Sequence, residues 1–580
     1  MRTAGLVFTA LAMAATAAGG PVVPGPSFWA VNDGEKVLRD SLNHPAKSRN
    51  SAWDGSRVTL FACRNETVAF QLVVEAPGED VKVKSLSLTF GDQSLSSGVE
   101  IFSEHYLHVA KPTPPYDERA NLWGWFWCAA AAPKLAPGWI PDALVPLNAR
   151  AGRGGLPLTI PKGTLQAFWF DASVPRLGVP AGRHEGVVAL STSAGDAKIP
   201  VLLEVMDATL PDKNAVKIMV YISDIGRRHG GSSPGLFHDY RCMAHRHRFD
   251  AVEYVDFMKM DSYLPYLTGE AYTPARGYTG PGEGIGHAVF GVDFYGAEER
   301  MKAGRDAFWK YSDRWMEWFR KNAPSVLPFL YLADEPRADM VPWVKKHAGW
   351  VHANPGPGRK LPVFVTTQPK PALEGAVDIW ATVADQVKTG AIKSRRQKGQ
   401  RWWFYNGMRP MSGAVPLDAN AVDFRVQPWI CRMFGVELWF YWEGTHWQHN
   451  HSGPRANKDQ DVWEDPVTFS GGPDLEINGD GTLFYPGQDV KFPDQDRGIA
   501  GPISSIRMKN LRRGQQDVAY MELASRAGRR KEAQAIAKKL IPRAFDLAGA
   551  DEQVSWPLDG SAWDEARRAI ARLFSEDPPR

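Results

Sequence analysis

Two periodicities divide this chain into regions of different structure. Apolar and polar residues alternate with a period of two in six short runs, at residues 58–62, 67–74, 83–90, 165–171, 186–190 and 199–205. Successive side chains of a strand point to opposite faces of a sheet, so this alternation is typical of strands with one buried face. Runs of this kind, separated by turns such as residues 179–182, predict a β-sandwich over residues 25–210.

Strand-like and helix-like segments alternate after Pro211. Strands are predicted at residues 216–222, 330–333, 363–367, 377–380, 400–405 and 437–442. Helical periodicity predicts helices at residues 240–248, 297–321, 342–353 and 423–434. Because repeated strand–helix units build a parallel barrel, we expect a (β/α)8 TIM-like barrel over residues 211–500.

The two ends of the chain have patterns of their own. Residues 501–580 are charged and helical, and we expect this C-terminal segment to pack on the barrel. Residues 1–18 combine Arg2, an apolar stretch at residues 6–15 and small residues at 15–17, which is typical of a secretory signal peptide. That stretch is too short to span a membrane and no later segment is long enough, so we expect a secreted or periplasmic protein without a membrane span.

The chain is predicted to be multidomain, all-β in its sandwich and α/β in its barrel. Its composition limits the classes of partner that we expect. Its 580 residues include 68 basic and 65 acidic side chains, a balance that gives no reason to expect a nucleic-acid partner. The 22 tryptophans are unusual, because a flat indole suits the apolar face of a sugar ring as well as a core. Export permits disulfides, but the spacing of the cysteines assigns no pairing among Cys63, Cys128, Cys242 and Cys431.

Asp334 and Glu335 are the strongest candidates for chemistry. An apolar strand leads into them and Pro336 prevents it from continuing. The active site of a TIM barrel lies at the carboxyl ends of its strands, and two acids there can act as acid and base if their surroundings separate their pKa values. Other strand ends and the residues after them are rich in aromatic and basic side chains, which predicts a saccharide-binding pocket formed by Trp380, Tyr405, Trp442, Trp447, Arg227 and His446.

The adjacency of the two acids favours one mechanism. A retaining glycosidase that uses one carboxylate as nucleophile and another as acid holds them about 5 Å apart across the reacting bond, which neighbouring residues do not normally do. The pair suits a substrate that supplies its own nucleophile, the oxygen of a 2-acetamido group. In that mechanism Asp334 orients the acetamido N–H and Glu335 protonates the leaving oxygen. Both carboxylates must face one pocket, so the strand has to end by Asp334.

Six stretches spread over most of the chain carry a resemblance to a known family: residues 64–71, 180–186, 333–336, 435–442, 479–487 and 505–517. They resemble glycoside hydrolase family 123, the β-N-acetylgalactosaminidases, and related proteins with the domain of unknown function 4091. The resemblance implies the sandwich and barrel, the roles of Asp334 and Glu335 given above, and a glycan that ends in β-linked N-acetylgalactosamine as the substrate. It implies neither a metal nor another cofactor.

Other interpretations of the same residues remain open. A glycosidase acting on a different sugar could keep Glu335 as the acid and take its nucleophile from another strand end, at Glu443 or Asp385. A non-catalytic carbohydrate-binding envelope protein could use its tryptophans to hold glycan. The aglycone, the choice between exo and endo action, and the oligomeric state are not specified by the sequence.

Two polar segments have the composition of metal sites but not the spacing. His446, His449 and His451 fit no zinc pattern, and we expect them in a polar loop over the site. The segment 478–481 resembles the start of a calcium loop but lacks the closing glutamate, so a turn is expected.

Overall fold

The structure is a computed structural model that describes residues 27–115, 125–449, 458–472 and 475–575. The predicted signal peptide and His451 lie outside these residues. None of the described helices is long and apolar enough to cross a membrane. All four cysteines lie in the described part of the chain, and each is a free thiol.

Within the described residues, the N-terminal part of the chain contains ten strands: β1 (Ser27–Asn32), β2 (Val58–Arg64), β3 (Glu66–Ala76), β4 (Val81–Phe90), β5 (Val99–Val109), β6 (Gly138–Pro146), β7 (Leu158–Ile160), β8 (Thr164–Val174), β9 (Gly182–Thr192) and β10 (Gly195–Thr209). They form two five-stranded sheets, in the orders β1-β3-β8-β5-β6 and β2-β10-β9-β4-β7. Alternate side chains of both sheets share one core, in which Phe70 stacks on Phe170 with ring centroids 4.7 Å apart. The six runs of period two are confirmed as strands.

Eight parallel strands follow in the described chain: β11 (Lys217–Tyr221), β12 (Asp250–Val252), β13 (Val289–Val292), β14 (Leu327–Ala333), β15 (Val363–Thr366), β16 (Ile379–Thr382), β17 (Arg401–Tyr405) and β18 (Leu438–Tyr441). Strand β18 pairs back with β11, whereas no hydrogen-bonded ladder among the described residues joins β12 to β13. The barrel is therefore nearly closed. Because all eight strands are parallel, their carboxyl ends lie on the same rim.

The helices of the described residues are α1 (Gln93–Ser97), α2 (Ile225–Arg228), α3 (Pro234–Arg246), α4 (Met260–Thr268), α5 (Glu298–Lys302), α6 (Arg305–Asn322), α7 (Val341–His352), α8 (Thr389–Gln397), α9 (Val422–Phe434), α10 (Ile506–Arg526), α11 (Arg530–Leu540) and α12 (Gly560–Ala571). The single helix predicted at residues 297–321 is instead two helices, α5 and α6. Gly304 separates them with a φ of 90°, which a right-handed helix does not accommodate.

In the described residues between the barrel and the C-terminal helices there are two short antiparallel pairs: β19 (Val467–Gly472) with β20 (Leu475–Asn478), and β21 (Tyr485–Pro486) with β22 (Pro502–Ile503). Asn478 is the last residue of β20, and the segment predicted to turn at residues 478–481 does so, with φ of 65° at Gly479 and 83° at Gly481.

Helix α10 contacts the sandwich as well as the barrel. It packs along α9, and its charged side chains are buried in pairs with acids of the sandwich. Lys509 and Arg512 lie 2.8 and 2.6 Å from the carboxylate oxygens of Asp171 on β8, and Arg507 lies 2.7 Å from Asp142 on β6. This charged segment, which was expected to pack on the barrel, therefore forms an interface with both the barrel and the sandwich.

Candidate active site

Unusual backbone conformations are concentrated at the carboxyl-terminal rim of the barrel. Eight non-glycine residues in the described chain have positive φ, and five of them follow barrel strands: Asp224, Asp293, Tyr295, Glu335 and Asn406. Such conformations cost on the order of 1–3 kcal/mol each for most residues and persist where the surrounding structure enforces them. Their concentration on one rim indicates that side chains are held there in particular directions, at the end where TIM barrels carry active sites.

The predicted acid pair lies on this rim. Strand β14 ends at Ala333, so Asp334 and Glu335 lie beyond the strand, as the two-acid hypothesis requires. Thr366, at the end of β15, contacts both residues. Its hydroxyl donates to Oδ1 of Asp334 at 2.8 Å and accepts the backbone N–H of Glu335 at 2.6 Å. One side chain thus joins the carboxylate of the first acid to the backbone of the second.

Two tyrosines from the barrel interior orient the carboxylates. The hydroxyl of Tyr331 donates to Oδ1 of Asp334 at 2.7 Å, and that of Tyr405 donates to Oε1 of Glu335 at 2.6 Å. Both acids are exposed to solvent. Among the described residues, no hydrogen bond reaches Oδ2 of Asp334 or Oε2 of Glu335, so each acid presents one oxygen to a ligand.

The surroundings of Glu335 raise the pKa of its carboxyl. Removal of water by neighbouring groups is the largest cause, and the charge of Asp334 acts in the same direction. The hydrogen bond from Tyr405 lowers the pKa and offsets part of the rise. A raised pKa keeps more of the carboxyl protonated near neutral pH, which is what a general acid requires.

Glu443, one of the alternative nucleophiles, is enclosed. It is 4% exposed, and its Oε2 accepts the hydroxyl of Ser223 at 2.6 Å. Its Oε1 accepts both the hydroxyl and the backbone N–H of Thr445, each at 3.0 Å. Burial raises the pKa of Glu443 to about 7. These contacts suit a structural role better than attack on a sugar. Asp385 is half-buried, and burial raises the pKa of its carboxyl.

A cavity of about 230 Å³ opens beside the ends of β11 and β18. Four of the predicted substrate-binding residues line it: Arg227, Trp442, His446 and Trp447. Arg227 pairs with Asp459, with 2.9 Å between Nε and Oδ1. Trp447 is 4% exposed and therefore belongs mainly to the core. The structure thus brings these four residues together around one cavity, whereas Tyr405 contacts Glu335 of the acid pair.

Tyr295 lies between this cavity and the acids. Its hydroxyl donates to the backbone carbonyl of Trp442, and its ring centroid is 5.5 Å from that of Tyr331, the partner of Asp334. Burial, followed by the charges of Glu443 and Asp334, raises the pKa of Tyr295 well above its usual value. The cavity and the acid pair are therefore neighbouring parts of one rim.

Trp380 is not part of this rim. It is 0% exposed and packs in the hydrophobic layer between the barrel strands and their outer helices, with Trp315 and Val363 in the same cluster. Its strand neighbours Ile379 and Ala381 face the barrel interior instead. The expected contact of Trp380 with substrate is therefore corrected. The residue is one of the large core tryptophans, because its position along β16 turns it outward.

Several rim residues were not among the candidates. Thr366 ends a strand that the sequence predicted and Tyr331 precedes Asp334 by three residues, so polar residues at or near predicted strand ends would have been a usable signal. Tyr295 gave no such signal, because it follows the short strand β13, which the pattern did not reveal. Asp480 was assigned to a turn, and its hydrogen bonds to tryptophans distant in the chain are visible only in the fold.

A larger cavity, of about 450 Å³, lies at the opposite end of the barrel. It is lined by residues that precede or begin barrel strands, among them Lys217, Asp250 and Arg401. It is separated from the acid pair by the barrel itself and does not belong to this site.

Comparison with known proteins supports the fold. No protein-family model matches the chain, and no curated protein sequence matches it. A family 123 glycoside hydrolase from Clostridium perfringens has a similar structure, with a TM-score of 0.65 over 95% of this chain and 98% of that one at 11% sequence identity. The resemblance to family 123 indicated by the sequence motifs is thereby confirmed at the level of the fold.

Two β-glucuronidases also align with parts of the chain. The enzyme from Parabacteroides merdae aligns over 79% of this chain and 51% of its own, with 9% identity and a TM-score of 0.26. That from Bacteroides uniformis aligns over 77% and 49%, with 8% identity and a TM-score of 0.24. These scores are too low to indicate a common fold.

Proposed function

We propose that this chain is a glycoside hydrolase that removes a terminal β-linked N-acetylhexosamine, N-acetylgalactosamine in particular, by a substrate-assisted retaining mechanism. The observation that carries the proposal is the pair of adjacent acids beyond the end of β14, joined through Thr366. The family 123 enzyme with the similar structure is itself described as hydrolysing glycolipid glycans.

The contacts of the two acids suit different roles. Asp334, with Oδ1 held by Tyr331 and Thr366, accepts the acetamido N–H of the substrate on Oδ2 and directs the acetamido oxygen toward the anomeric carbon. As that oxygen forms its bond to carbon, the glycosidic bond breaks and Glu335 donates its proton to the leaving oxygen. Glu335, now ionised, takes a proton from the water that opens the cyclic intermediate. Two displacements at one carbon retain the configuration.

The proposal predicts that Glu335→Gln lowers kcat/KM by about 10²–10⁴-fold on a glycoside with a poor leaving group, because protonation of that group is lost. Kinetics on a series of aryl β-N-acetylgalactosaminides whose phenols differ in acidity measure this effect. The loss should be large for weakly acidic phenols and smaller for acidic phenols, which depart without protonation. Glu317→Gln, which changes an exposed glutamate of α6, is the matched control and should keep wild-type activity. Unchanged activity of Glu335→Gln would exclude Glu335 as the acid.

Substrate assistance has its own test. Paired aryl glycosides that differ only in a 2-acetamido or a 2-hydroxyl group should be cleaved at very different rates, and Asp334→Asn should lower the rate on the acetamido substrate. The released sugar should keep its β configuration, which NMR reads directly. Comparable cleavage of both substrates would favour a glycosidase with a protein nucleophile such as Asp385. An inverted product would exclude both kinds of nucleophile, because inversion requires direct attack by water on the anomeric carbon. Glycan binding without any turnover would favour the carbohydrate-binding alternative.

A further inference from the structure

The larger cavity, at the amino-terminal end of the barrel, lies where the barrel is not closed. Asp250 is the first residue of β12 and Ala288 directly precedes β13, the two strands that no ladder among the described residues joins. Oδ2 of Asp250 accepts the backbone N–H of Ala288 at 3.1 Å and so connects the two strands. Both residues line the cavity. A molecule bound there would therefore contact both sides of the open seam.

Close packing fixes the loop of residues 269–288, which forms one wall of the cavity. A β carbon at Gly286 would lie 2.0 Å from the carbonyl oxygen of Leu267. A β carbon at Gly269 would lie 2.2 Å from the carbonyl oxygen of Gly284. Because neither position has room for a side chain, the shape of this wall is set by contacts between backbones and not by flexible side chains.

Basic side chains outnumber acidic ones around the cavity. Four of the lining side chains are cationic and two are acidic: Lys213, Lys217, Arg248, Arg401, Asp212 and Asp250. The lining histidines, His245 and His287, add no charge near neutral pH, because burial lowers the pKa of both imidazoles. The cavity therefore has an excess of positive charge, which favours an anionic ligand.

Most of these charged groups already have partners in the protein. Arg401 forms an ion pair with Glu437, and the guanidinium of Arg248 donates to two backbone carbonyls at 3.0 and 2.9 Å. Asp212 forms an ion pair with an arginine of the sandwich. Lys217 is half-buried, and no carboxylate within the described part of the chain forms an ion pair with it. Lys217 is therefore the cation that remains for a ligand inside the cavity.

The surroundings of Lys217 disfavour its positive charge. Burial lowers the pKa of its ammonium group, and the charges of Arg401 and Lys213 act in the same direction. The carboxylates of Glu437 and Asp250 oppose this effect only in part. Because a buried charge without a partner is unfavourable, an anion bound beside Lys217 would be stabilised by the counter-charge that it supplies.

Asp250 offers a second kind of contact. Burial raises the pKa of its carboxyl to about 7. Its Oδ2 accepts the N–H of Ala288, whereas no hydrogen bond from the described residues reaches Oδ1. Uncharged polar side chains line the same cavity, at Asn214, Thr268 and Ser325. An open carboxyl oxygen among such groups is suited to accept a hydrogen bond from a ligand hydroxyl.

We infer that this cavity binds a small anion that carries hydroxyl groups, with Lys217 contacting the anionic group and Asp250 accepting a hydrogen bond from a hydroxyl. A sugar phosphate and a sugar carboxylate share this chemistry. The volume of about 450 Å³ lies within the range of small-molecule sites. The inference does not depend on the proposed hydrolysis, because the barrel separates this cavity from the acid pair.

Calorimetry on the full chain tests the inference with glucose 6-phosphate, glucuronate, inorganic phosphate and uncharged glucose. At least one of the two sugar anions should bind about tenfold more tightly than glucose and than inorganic phosphate. The tighter of the two identifies the anionic group. The bound anion should also raise the unfolding temperature, because it binds only the folded chain. Absence of binding by both sugar anions, or equal binding of glucose, would overturn the inference.

Lys217→Met removes the unpaired cation and should weaken binding of the sugar anion by about tenfold. Lys310→Met, at an exposed lysine of α6, is the matched control and should change the affinity by less than about twofold. Glu335→Gln should bind the sugar anion as the wild-type protein does, because it changes the opposite rim. Unchanged affinity in Lys217→Met, or a loss in Glu335→Gln, would show that the anion binds elsewhere.

Asp250→Asn gives an independent readout if Lys217→Met does not fold. The amide has one acceptor oxygen where the carboxylate has two, so the N–H of Ala288 and a ligand hydroxyl compete for it. The preference for the sugar anion over inorganic phosphate should therefore fall by about fivefold. Thermal unfolding of each variant shows that the fold is kept. An unchanged preference would exclude Asp250 as the partner of the hydroxyl and overturn the inference.

Discussion

Tyr405 influences the protonation of the proposed acid through one hydrogen bond. Its hydroxyl lies 2.6 Å from Oε1 of Glu335 and lowers the pKa of that carboxyl, against the opposing effect of water removal by neighbouring groups. Tyr405 comes from the interior of the barrel and is 7% exposed, so its position depends on packing. The acid is thus kept oriented, while its pKa stays above its usual value.

Tyr405→Phe should shift the pH dependence of the reaction. Loss of the hydroxyl removes the contribution that lowers the pKa of Glu335, so the pKa rises further. A general acid works only while it is protonated, and the alkaline limb of the kcat/KM profile should therefore move to higher pH. Activity at the optimum should also fall, because the carboxyl is less well oriented. Tyr254→Phe, at a half-exposed tyrosine, is the control, and a limb that moves to lower pH would contradict the assignment.

Helix α10 illustrates how a charged helix can be a core element. Burial by itself raises the pKa of Asp171, but the nearby charges of Arg512 and Lys509 outweigh it and bring the pKa below the usual 3.8. A group whose pKa is lowered by folding stabilises the protein above its unfolded pKa. That stabilisation is present above about pH 4 and is lost as the pH falls through the pKa of the folded state.

Asp171→Asn should lower the free energy of unfolding by about 3–5 kcal/mol, because it leaves two buried cations without a counter-charge. Denaturant unfolding at neutral pH measures the loss. The matched control is Asp207→Asn on β10, which breaks an ion pair with Arg64 at an 82% exposed carboxylate and should cost about 0–1 kcal/mol. Equal losses in the two variants would show that the Asp171 pairs contribute no more than surface contacts.

Arg507, on the C-terminal helix α10, contacts both the sandwich and the barrel region. It pairs with Asp142 of the sandwich, and its Nη1 donates to the backbone carbonyls of Val415 and Gly479 at 3.0 and 2.6 Å. Gly479 begins the turn that carries Asp480, so the C-terminal helix supports the rim as well as the interface. The boundaries placed at residues 210 and 500 remain predictions, and these contacts indicate that the parts they separate do not fold independently.

A chain that ends at residue 500 should therefore fail to fold, even though it keeps the complete sandwich and barrel strands. The buried acids Asp142, Asp171 and Glu66 would lose their ion-pair partners on α10. The apolar surface that α10 covers would at the same time become exposed to water. Circular dichroism and limited proteolysis of the shortened chain measure the effect. The full-length protein should unfold in one transition. A stable shortened chain, or separate transitions of the full chain, would contradict this coupling.

The order of residues alone predicted many of the strands and helices and the proposed catalytic pair. Strand periodicity is a local property, so the sandwich runs were visible without the fold, and the acids are adjacent because they are covalent neighbours. The sequence did not determine which face of the sheet each strand residue occupies, because a shift of one residue along a strand exchanges the two faces. For this reason Trp380 was expected in the pocket, whereas it packs against the outer helices. Only the tertiary structure brought Tyr405 to Glu335 across 70 residues and Trp125 to Asp480 across 355. Contacts at such separations depend on barrel closure and on the interface with α10, which no local pattern encodes.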